Sequence, residues 1–281
     1  IWGGLAAYGI SNLRFVALIT GLGYAFQSGG WRRALLTRLV ATLYKNALYS
    51  ATKVVFQNPD NRDVFLQKRI VPAERCAVIA GSGVDIEHFG FSALPKSATS
   101  FLLIARLLGE KGIREYAAAA AVVRKKYPDI TFKLVGPTDP SPDGITLGEV
   151  YAWVDEGVLS YVGETQDVRP LIADSHIYVL PSYHEGMPRT VLEAMAMGRP
   201  ILTTDVPGCR ETVVPGDNGW LVPKADAQAL ADRMIWFIEN RDVWKGMAIK
   251  SRKMVENRFD VNIVNADMLR FMGFEEQNAN P

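Results

Sequence analysis

Cysteine and histidine are scarce in this 281-residue chain, which holds only Cys76 and Cys209 and three histidines, His88, His176 and His184. Two widely separated thiols cannot build a disulfide framework and suit a reduced, cytoplasmic compartment. The histidines show no ligand spacing and no Asp-x-Asp occurs anywhere, so no metal and no other cofactor is expected, and His184 reads as a neighbour of Glu185 in sequence, not as a ligand. Long apolar runs are missing too. Residues 1–30 carry one charge, Arg14, yet Gly3, Gly4, Gly9, Gly21, Gly23, Gly29 and Gly30 break them up. No stretch reaches the ~18–20 residues that span a bilayer. A strong charge excess is absent as well, and the formal +1 argues against a nucleic-acid binder. The chain opens on Ile1 with no charged segment and cleavage site behind it, so it is expected to be N-terminally incomplete and not to begin with a signal peptide.

What is present is unevenly placed. Residues 1–75 hold ten Lys/Arg against three Asp/Glu, a net of +7, which leaves 21 basic and 27 acidic groups, a net of −6, in residues 76–281. A basic first part beside an acidic remainder fits a protein that meets an anionic surface or substrate, or simply an uneven surface. Helix 31–50 carries Leu36, Leu39, Val40 and Leu43 at helical spacing, with Arg32, Arg33, Arg38 and Lys45 outside that stripe. Such a stripe faces either the domain's own core or an anionic lipid surface.

From Phe101 onward short apolar runs alternate with helical patterns. Strands are expected at 101–105, 130–135, 158–162, 177–180 and 200–203, and helices at 112–127, 145–155, 168–174 and 188–197. Alternation of this kind means a parallel sheet with crossover helices, hence a doubly wound α/β fold. Near-continuous apolar runs such as Phe101-Leu102-Leu103-Ile104 belong to strands buried on both faces. A briefer version, with strands at 15–19 and 54–56 and helices at 31–50 and 60–68, precedes it. The spacing of Leu230, Met234, Phe237 and Ile238 marks another helix, and two more are expected over 242–258 and 261–271. The organisation read from this is a partial Rossmann-like domain over 1–87, a linker over 88–100, a nucleotide-binding domain over 101–258, and a final helix and tail over 259–281 that packs back on the first domain.

The most informative segment is Ser182-Tyr183-His184-Glu185-Gly186-Met187-Pro188-Arg189-Thr190-Val191-Leu192-Glu193, continuing to Gly198. Pro188 suits the first position of a helix and Gly198 its C-terminal cap. That helix start follows a strand, so the N–H groups of Gly186, Met187 and Arg189, together with the helix dipole, are expected to form an anion site. Glu193 sits among Val191, Leu192, Ala194, Met195 and Ala196, where a carboxylate is costly unless paired. Ribose hydroxyls would satisfy it, as would a nearby arginine or backbone N–H. Arg106 and Lys111 stand at the end of strand 101–105, where two cations can neutralise a departing diphosphate.

These motifs resemble the family-four retaining glycosyltransferases of the GT-B fold, whose E-x7-E motif corresponds to Glu185 and Glu193. The resemblance extends to Ser82-Gly83-Val84-Asp85, Leu134-Val135-Gly136, Tyr161-Val162-Gly163-Glu164 and the Arg106-to-Lys111-Gly112 motif. It implies two Rossmann-like domains, the first shortened at its N-terminus. Arg106, Lys111 and Glu185 would be the catalytic set. Arg106 and Lys111 would hold the donor diphosphate, Glu193 the ribose, Glu185 with the Gly186–Met187 backbone the sugar, and the Val162 backbone the base. Pro188, Arg189, Gly136 and Gly21 would complete the substrate contacts. Thr20 stands where many members carry a histidine, so no catalytic histidine is assigned. The resemblance further implies metal-independent transfer of a hexose or N-acetylhexosamine from a nucleotide sugar, UDP being the expected nucleotide. The acceptor would be a polyprenyl-diphosphate-linked sugar or glycan in bacterial surface-polysaccharide assembly, including lipopolysaccharide, met through peripheral contact at the inner membrane. The competing readings are a non-catalytic nucleotide-sugar-binding fragment and a GT-B epimerase or phosphorylase.

Overall fold

The computed structural model describes the chain apart from residues 8, 9, 11, 23–25, 27–29 and 275–281. Gly9, Gly23 and Gly29, and the end of the C-terminal tail, therefore lie outside the described residues. The chain divides into two compact units, Ile1–Gly83 with Asn262–Pro281, and Val84–Val261. Each holds one parallel sheet.

In the first unit, α1 (Trp2–Ala6), β1 (Val16–Ile19), α2 (Trp31–Ala47), β2 (Lys53–Phe56), α3 (Pro59–Gln67) and β3 (Cys76–Val78) follow in order. The sheet order is β1-β2-β3, with Val16 paired to Lys53 and Val54 to Cys76. Val54, Val55 and Phe56 are fully buried, as a central parallel strand requires. α3 starts cleanly because the Asn58 side chain accepts from Asn61 N–H and Pro59 takes the first helical position. The last helix of the chain, Val261–Met272 (α10 once the second unit's helices are counted), sets Val264 against Val55 and Ile79. Lys53 Nζ lies 4.8 Å from the centre of the Phe271 ring. β3, only three residues long, has no counterpart in the sequence reading.

The leucine stripe on α2 does not face the domain's own core, which corrects that one of its two readings. Ala41, Tyr44 and Leu48 pack inward with Phe56 and Phe65, whereas Leu36, Leu39 and Leu43 are exposed and Val40 is half-buried. The inward face carries smaller and aromatic side chains, and the leucines lie on the other side of the helix.

The second unit runs β4 (Ser100–Ile104), α4 (Ile113–Lys126), β5 (Thr131–Val135), α5 (Leu147–Asp155), β6 (Ser160–Gly163), α6 (Arg169–Ala173), β7 (Ile177–Leu180), α7 (Arg189–Ala196), β8 (Ile201–Thr204), β9 (Gly219–Val222), α8 (Ala227–Glu239) and α9 (Trp244–Met254). Its sheet order is β6-β5-β4-β7-β8-β9. β4, β7 and β8 are buried along their whole length, and the alanine face of α4 lets that helix pack closely on α8. One core joins Phe101, Tyr116, Phe132, Val179 and Leu202 with Leu230, Met234 and Phe237. Thr146 and Asp226 cap α5 and α8 through their side chains.

Residues 88–100 contain no helix or strand before β4, as turn formers dictate, and they belong to the second unit. Two arginines, the buried Arg199 and the half-buried Arg252, strap them down. Arg252 Nη1 donates to the carbonyls of Ile86, Phe89 and Ala196 at 3.2, 3.1 and 2.9 Å, and Arg199 Nη2 donates to Ser92 O at 3.1 Å. Among the described residues no helix is long and apolar enough to cross a membrane.

Candidate active site

The strand order locates the site. From β4 the chain steps outward through β5 and β6, then returns to the other side of β4 with β7, β8 and β9. Loops leaving β4 and β7 therefore diverge and open a crevice at the carboxyl edge of the sheet, where ligands of doubly wound folds bind. Residues 105–112 and 181–188 flank it.

A short turn, Gly109–Lys111, follows β4 and ends on Gly112 at φ 71°. A β-carbon there would lie 2.1 Å from the Pro181 carbonyl oxygen, so only glycine lets this turn rest on the loop after β7. Tyr183 N–H donates to the Glu110 carbonyl at 2.8 Å, which ties the two loops together. Their approach puts Lys111 Nζ 2.6 Å from Glu185 Oε1, and the Ser182 hydroxyl donates to the same oxygen at 2.7 Å. Both charged side chains are mostly enclosed, at 16% and 15% exposure. On the far side of Glu185, Gly208 at φ 85° would bring a β-carbon within 2.6 Å of the Glu185 and Gly186 carbonyl oxygens. His184 Nε2 lies 3.3 Å from Glu110 Oε2.

Arg106 leaves the tip of β4 and meets Asp139 instead, its Nη1 2.6 Å from Asp139 Oδ2. Asp139 also accepts from Ser141 N–H at 2.9 Å. The Ser141 hydroxyl and N–H, aided by Arg106, hold the Asp139 carboxyl below the usual carboxylate range. The Arg106 side chain is 59% exposed, so this ion pair is weak and can be exchanged for another anion. Gly136, at the end of β5, gives its N–H to Gly163 O at 2.9 Å, and a β-carbon on it would lie 1.9 Å from Ala105 O. Close packing of the β4 and β5 exits is therefore what demands a glycine at this position.

α7 starts one residue later than its sequence suggested. Pro188 is the N-cap with extended ψ, and Arg189 is the first helical residue. Gly198, at φ 77°, ends the helix as expected. Met187 is buried, and Glu193 lies in the buried row from Val191 to Ala196. Burial pushes the Glu193 carboxyl above its ordinary value, and Arg189 offsets this only in part from 3.8 Å. Val162 is exposed in β6, and Gly21 is exposed beyond the end of β1 in the other unit.

The second unit thus brings Lys111 to Glu185 and Arg189 to Glu193, while Arg106 is held by a carboxylate that the sequence reading did not single out. Asp139 had one readable signal, the Asp139-Pro140-Ser141 turn directly after a strand. Ser182 and Gly208 had none, since their part depends on what packs against them.

The family model described as "Glycosyl transferases group 1" matches residues 98–240. The chain is 28% identical over 262 residues, 88% of its own length and 67% of the relative's, to the N,N'-diacetylbacillosaminyl-diphospho-undecaprenol alpha-1,3-N-acetylgalactosaminyltransferase of Campylobacter jejuni. It is 23% identical over 257 residues, 85% of its length, to the UDP-Gal:alpha-D-GlcNAc-diphosphoundecaprenol alpha-1,3-galactosyltransferase of Escherichia coli, and spans 64% of that protein. Among solved structures, Anabaena HepE in complex with UDP and glucose superimposes with a TM-score of 0.78 at 21% identity, over 96% of this chain and 74% of the other. Two parallel α/β sheets arranged in this way are the GT-B fold.

Proposed function

Since this chain belongs to the group 1 glycosyl transferases, family four of the GT-B enzymes, we propose that its second unit holds a UDP-sugar and that the whole protein transfers the sugar, with retention, to a lipid-diphosphate-linked acceptor. The observation that carries this reading is the meeting of Lys111 and Glu185 at the switch point of the sheet, beside the exposed, exchangeable Arg106. A diphosphate arriving there would draw Arg106 from Asp139 and share Lys111 with Glu185. As the anomeric bond breaks, negative charge grows on the departing phosphate oxygen, and the two cations stabilise it without reorganising. Glu185, released in part from Lys111, would accept hydrogen bonds from the sugar hydroxyls, with the Gly186–Met187 backbone beside it. Pro188 and Arg189 set the first turn of α7 against the same crevice, and Gly136 shapes its floor.

Glu193 is assigned to the ribose. Its carboxylate is buried and incompletely paired, and two hydroxyls would supply the donors it lacks. Val162, at the exposed end of β6, is placed to offer backbone groups to the base. UDP and a hexose or N-acetylhexosamine are preferred because relatives are named for them, and a lipid-diphosphate acceptor is preferred for the same reason. The protein would work as a peripheral protein at the cytoplasmic face of a membrane, in surface-polysaccharide or glycan assembly, with its basic first unit toward the lipid.

The test is a thermal-shift series on the full-length enzyme with UDP-, GDP- and ADP-sugars. Ligand at about a hundred times its Kd stabilises by ~2.7 kcal/mol, a rise of several degrees. UDP-sugars should raise the melting temperature of the parent clearly more than that of Arg106→Ala or Lys111→Ala. An equal rise in both variants removes the site, and binding without transfer leaves a nucleotide-sugar-binding module.

A further inference from the structure

The loop that follows β5 is fastened along the turn carrying both donor-site cations. Leu107 N–H donates to Pro137 O, Ile145 N–H to Leu107 O and Gly109 N–H to Asp143 O, each at 2.9 Å. The Asp143 carboxylate accepts from Glu110 N–H at 2.7 Å, so the two loops are joined from Leu107 to Glu110. That lacing fixes where Asp139 stands. Its side chain is 10% exposed, with Oδ1 accepting from Ser141 N–H at 2.9 Å and Oδ2 2.6 Å from Arg106 Nη1. Arg106 is the freer partner, its side chain 59% exposed. Hydrogen bonds from Ser141, and the Arg106 charge, hold the Asp139 carboxyl below the usual carboxylate range, so it is charged at neutral pH. It has no part in the sugar recognition proposed above, yet it occupies one of the two cations.

We propose that Asp139 is an internal competitor for the diphosphate: it holds Arg106 in the ligand-free enzyme, yields it to the incoming nucleotide sugar and reclaims it as the nucleoside diphosphate leaves. This role rests on the donor site proposed above and adds to it what governs product release. An arginine already paired with a fixed carboxylate must loosen that pair before it serves a phosphate, so part of its attraction for the ligand is cancelled. Donor and product both carry the diphosphate, and at neutral pH the product's carries one more negative charge once the bond to the sugar has broken. The product is therefore held more strongly by Arg106 and Lys111 than the donor is, and without an opposing anion it would leave slowly. Lys111 has its own counter-anion, Glu185, but that carboxylate is assigned to the sugar. Asp139 is the anchored member of its pair and Arg106 the exposed one, so the cation is the group that moves between two anions. A carboxylate that aimed Arg106 at the phosphate would instead raise affinity, and the sign of the effect separates the two roles.

Calorimetric titration of the full-length enzyme with UDP tests it. Asp139→Ala removes the charge without adding a hydrogen-bond donor, and should bind UDP about three- to five-fold more tightly than the parent, the gain that loss of a largely exposed ion pair permits. UDP should inhibit sugar transfer by that variant more strongly by the same factor. Asp139→Asn keeps the shape and an acceptor for Ser141 N–H, should gain at least as much, and stands in if the alanine variant unfolds. In an Arg106→Ala background, Asp139→Ala should leave UDP affinity within about two-fold, because the contested cation is gone. A parent that binds UDP beside Asp139 variants that bind it equally or more weakly overturns the proposal and makes Asp139 a support for Arg106. Tightening that persists undiminished without Arg106 also overturns it, leaving general repulsion as the cause. Failure of parent and variants alike to bind UDP overturns the donor reading, and this role with it.

Discussion

Lys111 and Glu185, 74 positions apart in the chain, form an ion pair of 2.6 Å at the crevice between β4 and β7. The pair exists because the turn carrying Lys111 can lie directly on the loop carrying Glu185. It also puts a cation and a mostly enclosed carboxylate in contact at that crevice.

Removing the cation should therefore cost activity more than stability. Lys111→Ala is expected to lower kcat for sugar transfer by ~10²–10³-fold, the usual loss when one fixed group facing developing charge is deleted. A double-mutant cycle with Glu185→Gln should show a coupling of about 0.5–3 kcal/mol in unfolding, since the two groups touch. Unchanged turnover in Lys111→Ala would take this residue out of the reaction.

Arg106 should behave differently, because it is more than half exposed and its pairing with Asp139 is screened. Arg106→Ala is expected to change unfolding free energy by less than ~1 kcal/mol. Donor affinity, read by calorimetric titration, should fall about 10- to 100-fold through loss of a charge-assisted hydrogen bond. Loss of stability with affinity intact would reverse the assignment.

Two glycines separate backbone conformation from close contact. Gly157 has φ 69° with nothing within 4 Å of a β-carbon, so Gly157→Ala should cost only the left-handed penalty of ~1 kcal/mol. Gly112→Ala adds a collision with the Pro181 carbonyl, and should cost at least ~2–3 kcal/mol and drag Lys111 from Glu185. Urea unfolding measures both, and equal costs would show that the two loops are not held in contact.

Glu193 links stability to pH. Its folded carboxyl is raised above the ordinary value by burial, so between the unfolded and folded values the native state holds the extra proton. Stability is then lost as pH rises through that window and is not recovered above it. Glu193→Gln should raise the melting temperature of the unliganded enzyme near neutral pH, flatten its fall from acidic to neutral pH, and weaken donor binding. A variant less stable than the parent at neutral pH would mean that the carboxylate has better partners than Arg189.

Some of this was legible in the one-dimensional pattern and some was not. Buried parallel strands must be apolar throughout, so Phe101–Ile104 and Ile177–Leu180 announce themselves, and alternation with helices dictates a doubly wound sheet. The Arg106-to-Lys111 and Glu185-to-Glu193 spacings identify the family because each sits at the end of such a strand. The chain could not reveal that Arg106 is held by Asp139 or that Gly208 lies against Glu185 and Gly186, because these neighbours come from separate loops. Nor could it orient α2: a helical period shows that leucines share a side, but Ala41, Tyr44 and Leu48 fill the space over Phe56 and Phe65, and that packing turns Leu36, Leu39 and Leu43 outward. Periodicity and local chemistry are properties of the chain, whereas which groups meet across the crevice, and which face of a helix is left for something else, follow only from three-dimensional packing.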